Sequence, residues 1–142
     1  MIKEIEEAIV TQLTPLLNSG VAILNTPKDT SRVIQRCADL LVFYSGKSID
    51  PPSGKQSKVI QKQTLNFAVN LRLVDLRTHT KAYPILEEIQ SLLSGWTPPT
   101  TIEGLRLGFF YQTAEDYVSL EKGVWIYTQS YSIETLFKGG AS

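Results

Sequence analysis

The side chains able to do chemistry are few, and their spacing speaks against most of what they could do. The single histidine, His79, lies in Thr78-His79-Thr80 just ahead of an amphipathic run, the place of a surface connector residue. The single cysteine, Cys37, precedes the apolar run ADLLVFY and reads as a small core residue. A typical zinc site or a Cys-His nucleophile draws on several soft ligands, and one His with one Cys does not supply them. The glycines sit singly, and none opens a helix after a strand with phosphate-loop spacing. Two carboxylate pairs remain. Glu87-Glu88 are adjacent on a predicted helix and diverge, because only residues three or four apart share a face. Glu115-Asp116 fall in a predicted turn, and a glycosidase-type pair would need two carboxylates facing across a cleft. No residue is assigned to catalysis, to a cofactor or to a metal, and the chain is expected not to be an enzyme.

What is left is interaction chemistry. The polar stretch Gly46–Gln63 carries Lys47, Lys55, Lys58 and Lys62 against one acid, Asp50. It reads as a long loop or a pair of frayed hairpin arms able to order against a partner. After it, Asn66, Asn70 and Arg72 share the polar face of a predicted strand and look either to water or to a neighbouring subunit. Asp75 and Arg77 flank Leu76 at the strand's end, as an ordinary ion pair or an intersubunit contact.

The elements that position these residues are legible from hydrophobic period. Leu65, Phe67, Val69, Leu71 and Leu73 alternate with Thr64, Asn66, Ala68, Asn70 and Arg72, which predicts a strand with one apolar face. Ala82, Ile85, Leu86, Ile89, Leu92 and Leu93 then follow helical spacing. Pro84 is acceptable only in a first turn, Gly95 stands at the expected cap, and Pro98-Pro99 prevent continuation. Trp96 reads as a lid on the core. Upstream, Ile2, Ile5, Ile9, Leu13, Leu16 and Leu17 predict an amphipathic helix from Ile2 to Asn18, with Pro15 disturbing its last turn. Val21–Asn25 and Ala38–Tyr44 predict strands, the second buried on both faces, and a short helical turn from Thr30 or Ser31 through Arg36 lies between them. Leu105–Gln112, Tyr117–Glu121 and Gly123–Leu136 predict three further strands, with a turn at Lys122-Gly123. The order predicts an α+β fold: a mainly antiparallel sheet with both helices packed on one face.

Length and composition agree with one domain over 1–137 and a flexible tail over 138–142. Fourteen basic and fourteen acidic side chains cancel. The chain therefore shows no electrostatic footprint for nucleic acid or an anionic membrane, and no net charge opposes self-association. A lone cysteine excludes an intrachain disulfide. No apolar run approaches the roughly 18 residues of a membrane span. The start, MIKEIEEAIV, has early acids and no apolar core of a signal peptide, so a soluble cytoplasmic product is expected.

Four segments in this order resemble the Mu-like phage tail terminator family of contractile-tailed phages and prophages. They are the N-terminal amphipathic helix leading to a strand, ADLLVFYSGKSIDPP, LVDLRTHTKAYPILEEIQSLLSGWTPP, and VWIYTQSYSI with its Trp-x-Tyr. Together they span most of residues 2 to 137. The resemblance implies a virion tail protein, assembled in the host cytoplasm, that forms a hexameric ring capping the head-proximal end of the tail. Such a ring stops tube and sheath polymerisation and offers a surface to the head-tail connector. It implies no catalytic residue and no cofactor. The competing expectations are another tail-completion, head-tail joining or adaptor protein, and a small-molecule-binding α+β domain or hydrolase.

Overall fold

The computed structural model describes residues 2–19, 21–24, 38–51, 59–74, 81–99, 105–121 and 123–139. Helix α1 is Ile2–Gln12, followed by a 3-10 helix at Thr14–Ser19. Strands β1 (Val21–Leu24), β2 (Ala38–Ile49) and β3 (Val59–Val74) precede helix α2 (Ala82–Leu93). Strands β4 (Leu105–Glu121) and β5 (Val124–Gly139) complete the chain. They form one five-stranded sheet in the order β1-β2-β3-β5-β4. Four strands pair antiparallel, and β1 joins β2 in parallel. The fold is α+β, mostly sheet.

This order follows from α2. Parallel strands need a crossover connection, and α2 carries the chain from β3 to β4, leaving a gap that β5 fills by hairpin return. The apolar stripe of α2 supplies Ala82, Leu86, Ile89 and Leu93, all buried, and α1 supplies Ile5 and Ile9. They close over one face of the sheet, where Leu65, Phe67, Val69, Leu71 and Leu73 of β3 stand in register with Ile133, Tyr131, Gln129, Tyr127 and Trp125 of β5. Each fully buried Leu or Ile here contributes roughly 1.5–3 kcal/mol, which makes this layer the main source of stability. Gln12 Nε2 donates to the Leu92 carbonyl oxygen at 2.8 Å and ties the two helices together.

Several boundaries differ from the sequence reading. The first helix is α-helical only to Gln12, because Pro15 has no amide hydrogen to donate and the next turn tightens into 3-10 form. Leu105–Gln112 and Tyr117–Glu121 are one continuous strand, whose register against β5 shifts at Leu107/Phe110, Gln112/Ala114 and Tyr117/Ser119. The segment read as a tail from residue 138 begins inside β5, which pairs as far as Gly139 with Val59. Of the two forms considered for Gly46–Gln63, hairpin arms describe its flanks: β2 runs to Ile49 and β3 starts at Val59. The short helical turn expected before Arg36 lies outside the described residues.

Candidate functional site

The outer face of the sheet, away from the helices, is a polar seam rather than a bare surface. Asn66 and Ser132 are paired in register, and the Ser132 hydroxyl donates to Asn66 Oδ1 at 2.6 Å. Asn70 stands opposite Thr128, whose hydroxyl donates to Asn70 Oδ1. Arg72 faces Asp39 of β2 in a two-pronged bond, with Nε to Oδ1 at 2.8 Å and Nη2 to Oδ2 at 2.5 Å. Asp39 is buried, and a buried carboxylate is tolerable only when paired and hydrogen-bonded. That bond, followed by the attraction of the Asp39 charge, raises the Arg72 pKa despite partial burial. Asn66, Asn70 and Arg72 are thus spent within the chain, holding β3 to β5 and β2.

A second polar group sits under α2. The Gln129 side chain is buried, donating from Nε2 to the Leu86 carbonyl oxygen at 2.9 Å and to Glu115 Oε1 at 2.6 Å. The Tyr131 hydroxyl completes it, donating to Gln129 Oε1 at 2.6 Å. Burial drives the Tyr131 phenol far above its ordinary range. Burial also raises Tyr127, with smaller pushes from Tyr83, Tyr117 and Glu115 close by. Gln63, also buried, leaves Oε1 without a partner.

Sheet edges are the surfaces most prone to pair with another chain, and parts of both are closed. On β2, beyond the four residues covered by β1, the Tyr44 amide donates to Glu6 Oε2 of α1 at 2.8 Å. On β4, the segment after α2 folds along the strand: Gly95 N–H donates to the Phe110 carbonyl, and Phe110 N–H to the Trp96 carbonyl, both at 2.8 Å. The Thr97 hydroxyl donates to the Gly108 carbonyl at 3.0 Å. Gly95 makes this turn at φ +80°, a conformation costly for residues with a Cβ. Trp96 then stacks on Phe110 at 5.8 Å between ring centroids, the lid expected of it.

The remaining half of β4 is open in another way. Tyr117, Val118 and Leu120 are exposed, at 54%, 54% and 46%, and Tyr83 at the start of α2 is 44% exposed. Tyr117 touches Tyr127 and Trp125, with ring centroids 5.6 and 6.0 Å apart. On the same strand Glu115 shares the helix-side face with Tyr117 and Leu120, whereas Asp116 and Glu121, in register with Thr128 and Val124, lie on the outer face. Sequence reading missed the patch. Its signal was the run Glu115–Glu121, read as a weak strand and a turn because bulges break its alternation.

Of the four lysines, Lys47 is exposed on β2, and Lys62 is exposed on β3 and bridges to Glu134 at 3.1 Å. Lys55, Lys58, Asp75, Arg77, His79 and Cys37 lie outside the described residues. Among the described residues no group of three or more His, Cys, Asp and Glu side chains could hold a metal ion. No described helix is long and apolar enough to cross a membrane.

The profile of the Gp37 protein family matches residues 9–138, from the middle of α1 nearly to the end of β5. The chain belongs to the Gp37 family. The fold is also similar to that of a chain in the virion of a native gene transfer agent particle, with a TM-score of 0.58 over 94% of each chain at 14% sequence identity. No curated protein is significantly similar in sequence. The Gp37 match covers the lysine-bearing arm, the closure at Gly95–Thr97 and the β4–β5 hairpin alike. Two surface depressions of this Gp37 chain are open to solvent, and each presents a single carboxylate. Glu115 lies in the one beside Gln90 and Gln112. Glu134 lies in the one beside Leu107 and Leu136, held there by Lys62.

Proposed function

We propose that this Gp37 chain is a structural virion protein, and within the virion a tail terminator. It would form a ring, hexameric by the resemblance of its sequence to terminators, that caps the head-proximal end of a phage-type tail. There it would end tube and sheath polymerisation and offer a face to the head-tail connector. The observation that carries the reading is the likeness in fold, over nearly all of both chains, to a component of a gene transfer agent virion. Gp37 membership and the four terminator-like sequence segments agree with it. The geometry suits a part that works by surface. Asn66, Asn70 and Arg72 of the sheet are engaged within the chain, the described depressions are open to solvent, and the features left outward are strand arms and an aromatic patch.

The test is tail length in particles assembled without the protein. The expected result is tails of uncontrolled length that fail to join heads, restored to one length when the chain is supplied. Tails of normal length joined to heads in its absence would overturn the terminator role.

A further inference from the structure

The depression between α2 and β4 is made by an irregularity in the strand. Residues three apart on a regular strand point to opposite faces of the sheet. On β4 the register shift between Gln112 and Ala114 takes up one residue, so Gln112 pairs with Tyr131 and Glu115 with Gln129. Tyr131 and Gln129 are two positions apart on β5. Gln112 and Glu115 therefore share the helix-side face, about 7 Å apart along the strand. Gln90 of α2 stands across from them, and Thr113 and Ala114 complete the lining.

The donors of this lining are turned toward their own chain. Gln112 Nε2 donates to the Ala114 carbonyl oxygen at 3.4 Å, and the Thr113 hydroxyl to the Ser130 carbonyl oxygen at 3.3 Å. What β4 leaves in the depression is acceptor: Gln112 Oε1 and the Glu115 carboxylate. Glu115 is also held in place. Buried Gln129 donates to its Oε1 at 2.6 Å, and Gln129 is itself fixed by the Leu86 carbonyl and the Tyr131 hydroxyl. The carboxylate is thus ordered on folding, with Oε2 left to a ligand, and binding loses less side-chain entropy.

Acceptors of this kind select a ligand that only donates, which among side chains means Lys or Arg. Two separated acceptors favour the guanidinium, whose donors spread over a plane, over the compact ammonium. One carboxylate falls short of the oxygen set that a hard metal ion takes, so the fitting ligand is an organic cation. The volume, about 350 Å³, is at the low end for ligand pockets and suits one long side chain. β4 is the last strand of the sheet, and among the described residues the backbone bonds of the segment after α2 reach no further along it than Phe110. The edge beside the depression can therefore pair with the chain that carries the cation.

We propose that the depression of Gln90, Gln112 and Glu115 receives an arginine side chain of a partner protein, presented from an extended segment on the β4 edge. The contact stands or falls independently of the terminator role.

The experiment is a titration of the full chain followed by nitrogen-15 amide shifts. The probe is an acetylated five-residue peptide of threonine and valine around one arginine. Saturating shifts are expected at Gln112–Glu115 and at the Gln90 side-chain amide, with a Kd on the order of 1 mM. The same peptide with neutral citrulline in place of arginine is expected to bind at least about tenfold more weakly, as is the native peptide to Glu115→Gln. That variant keeps an oxygen for Gln129, and its unchanged spectrum elsewhere reports an intact fold. Asp116→Asn loses the same charge from the outer face and is expected to bind within about twofold of the native chain. Methylguanidinium alone is expected to bind at least about tenfold more weakly than the peptide, because it cannot pair with the strand edge. Absent or non-saturating shifts, equal binding of the citrulline peptide, or equal loss in both variants would overturn the site. Methylguanidinium binding as tightly as the peptide would assign it to a free cation and overturn the partner.

Discussion

At the scale of single residues, the sheet is held by polar pairs that keep their charge out of water. Asp39 is the sharpest case. Replacing it by Ala leaves the Arg72 guanidinium partly buried with its principal partner gone. Full burial would make that loss about 3–5 kcal/mol, and the remaining exposure of Arg72 reduces it to about 2–4 kcal/mol in urea unfolding. The double change Asp39→Leu with Arg72→Met removes both charges and is expected to fall within about 1.5 kcal/mol of the native chain. Tyr131 gives a pH signature. Its phenol is raised in the folded state, so its contribution is present below the unfolded pKa of about 10 and is lost as pH rises above it. The unfolded chain loses the proton first and drains the native state. Stability is therefore expected to fall between about pH 10 and pH 12, and Tyr131→Phe should flatten that fall while costing about 1 kcal/mol at neutral pH from the lost bond to Gln129. The Asp39 bridge was open to inference from sequence, since a carboxylate inside ADLLVFY needs a cation and Arg72 is on a polar face. The pairing that joins them depends on strand order, which local pattern does not contain. Gln129 was hidden for the same reason: the two partners of its Nε2 are 43 and 14 residues away.

At the scale of elements, the sequence is most readable where one period holds. The β3 alternation runs unbroken from Leu65 to Leu73, and α2 begins in its expected place, with Pro84 in the first turn and Gly95 beyond the last. Bulges erase that legibility. Gly46, at φ +132°, marks the register shift after Tyr44, so β2 changes phase and its continuation to Ile49 looks like loop. Three shifts do the same to β4 and divide one strand into two apparent ones. The α2 closure gives a clean test. A Cβ on Gly95 would meet no atom within 4 Å, so Gly95→Ala probes backbone conformation alone. It is expected to cost roughly 1–2 kcal/mol, read as a lower thermal midpoint without change in oligomeric state. Glu6→Ala removes the carboxylate that occupies the Tyr44 amide. It should expose that length of β2 edge and increase aggregation on heating more than it lowers the midpoint, measured by light scattering alongside calorimetry.

At the scale of the whole molecule, this Gp37-family chain has an α+β fold that is similar to a chain of a gene transfer agent virion, and the structural virion role is proposed on that likeness. One helical face covers the sheet's core, internal pairs engage its outer face, and chemistry for other molecules is left to the ends. The lysine arm was visible in the sequence as composition. The exposed aromatic patch was not, because it exists only once bulged β4 is laid beside β5. The central claim, a ring that ends the tail, is tested most directly by cryo-microscopy of the intact particle. The terminator reading predicts this fold as a closed ring between the last tube layer and the head connector. Finding the chain at another level of the particle, or no density for it, would contradict the account.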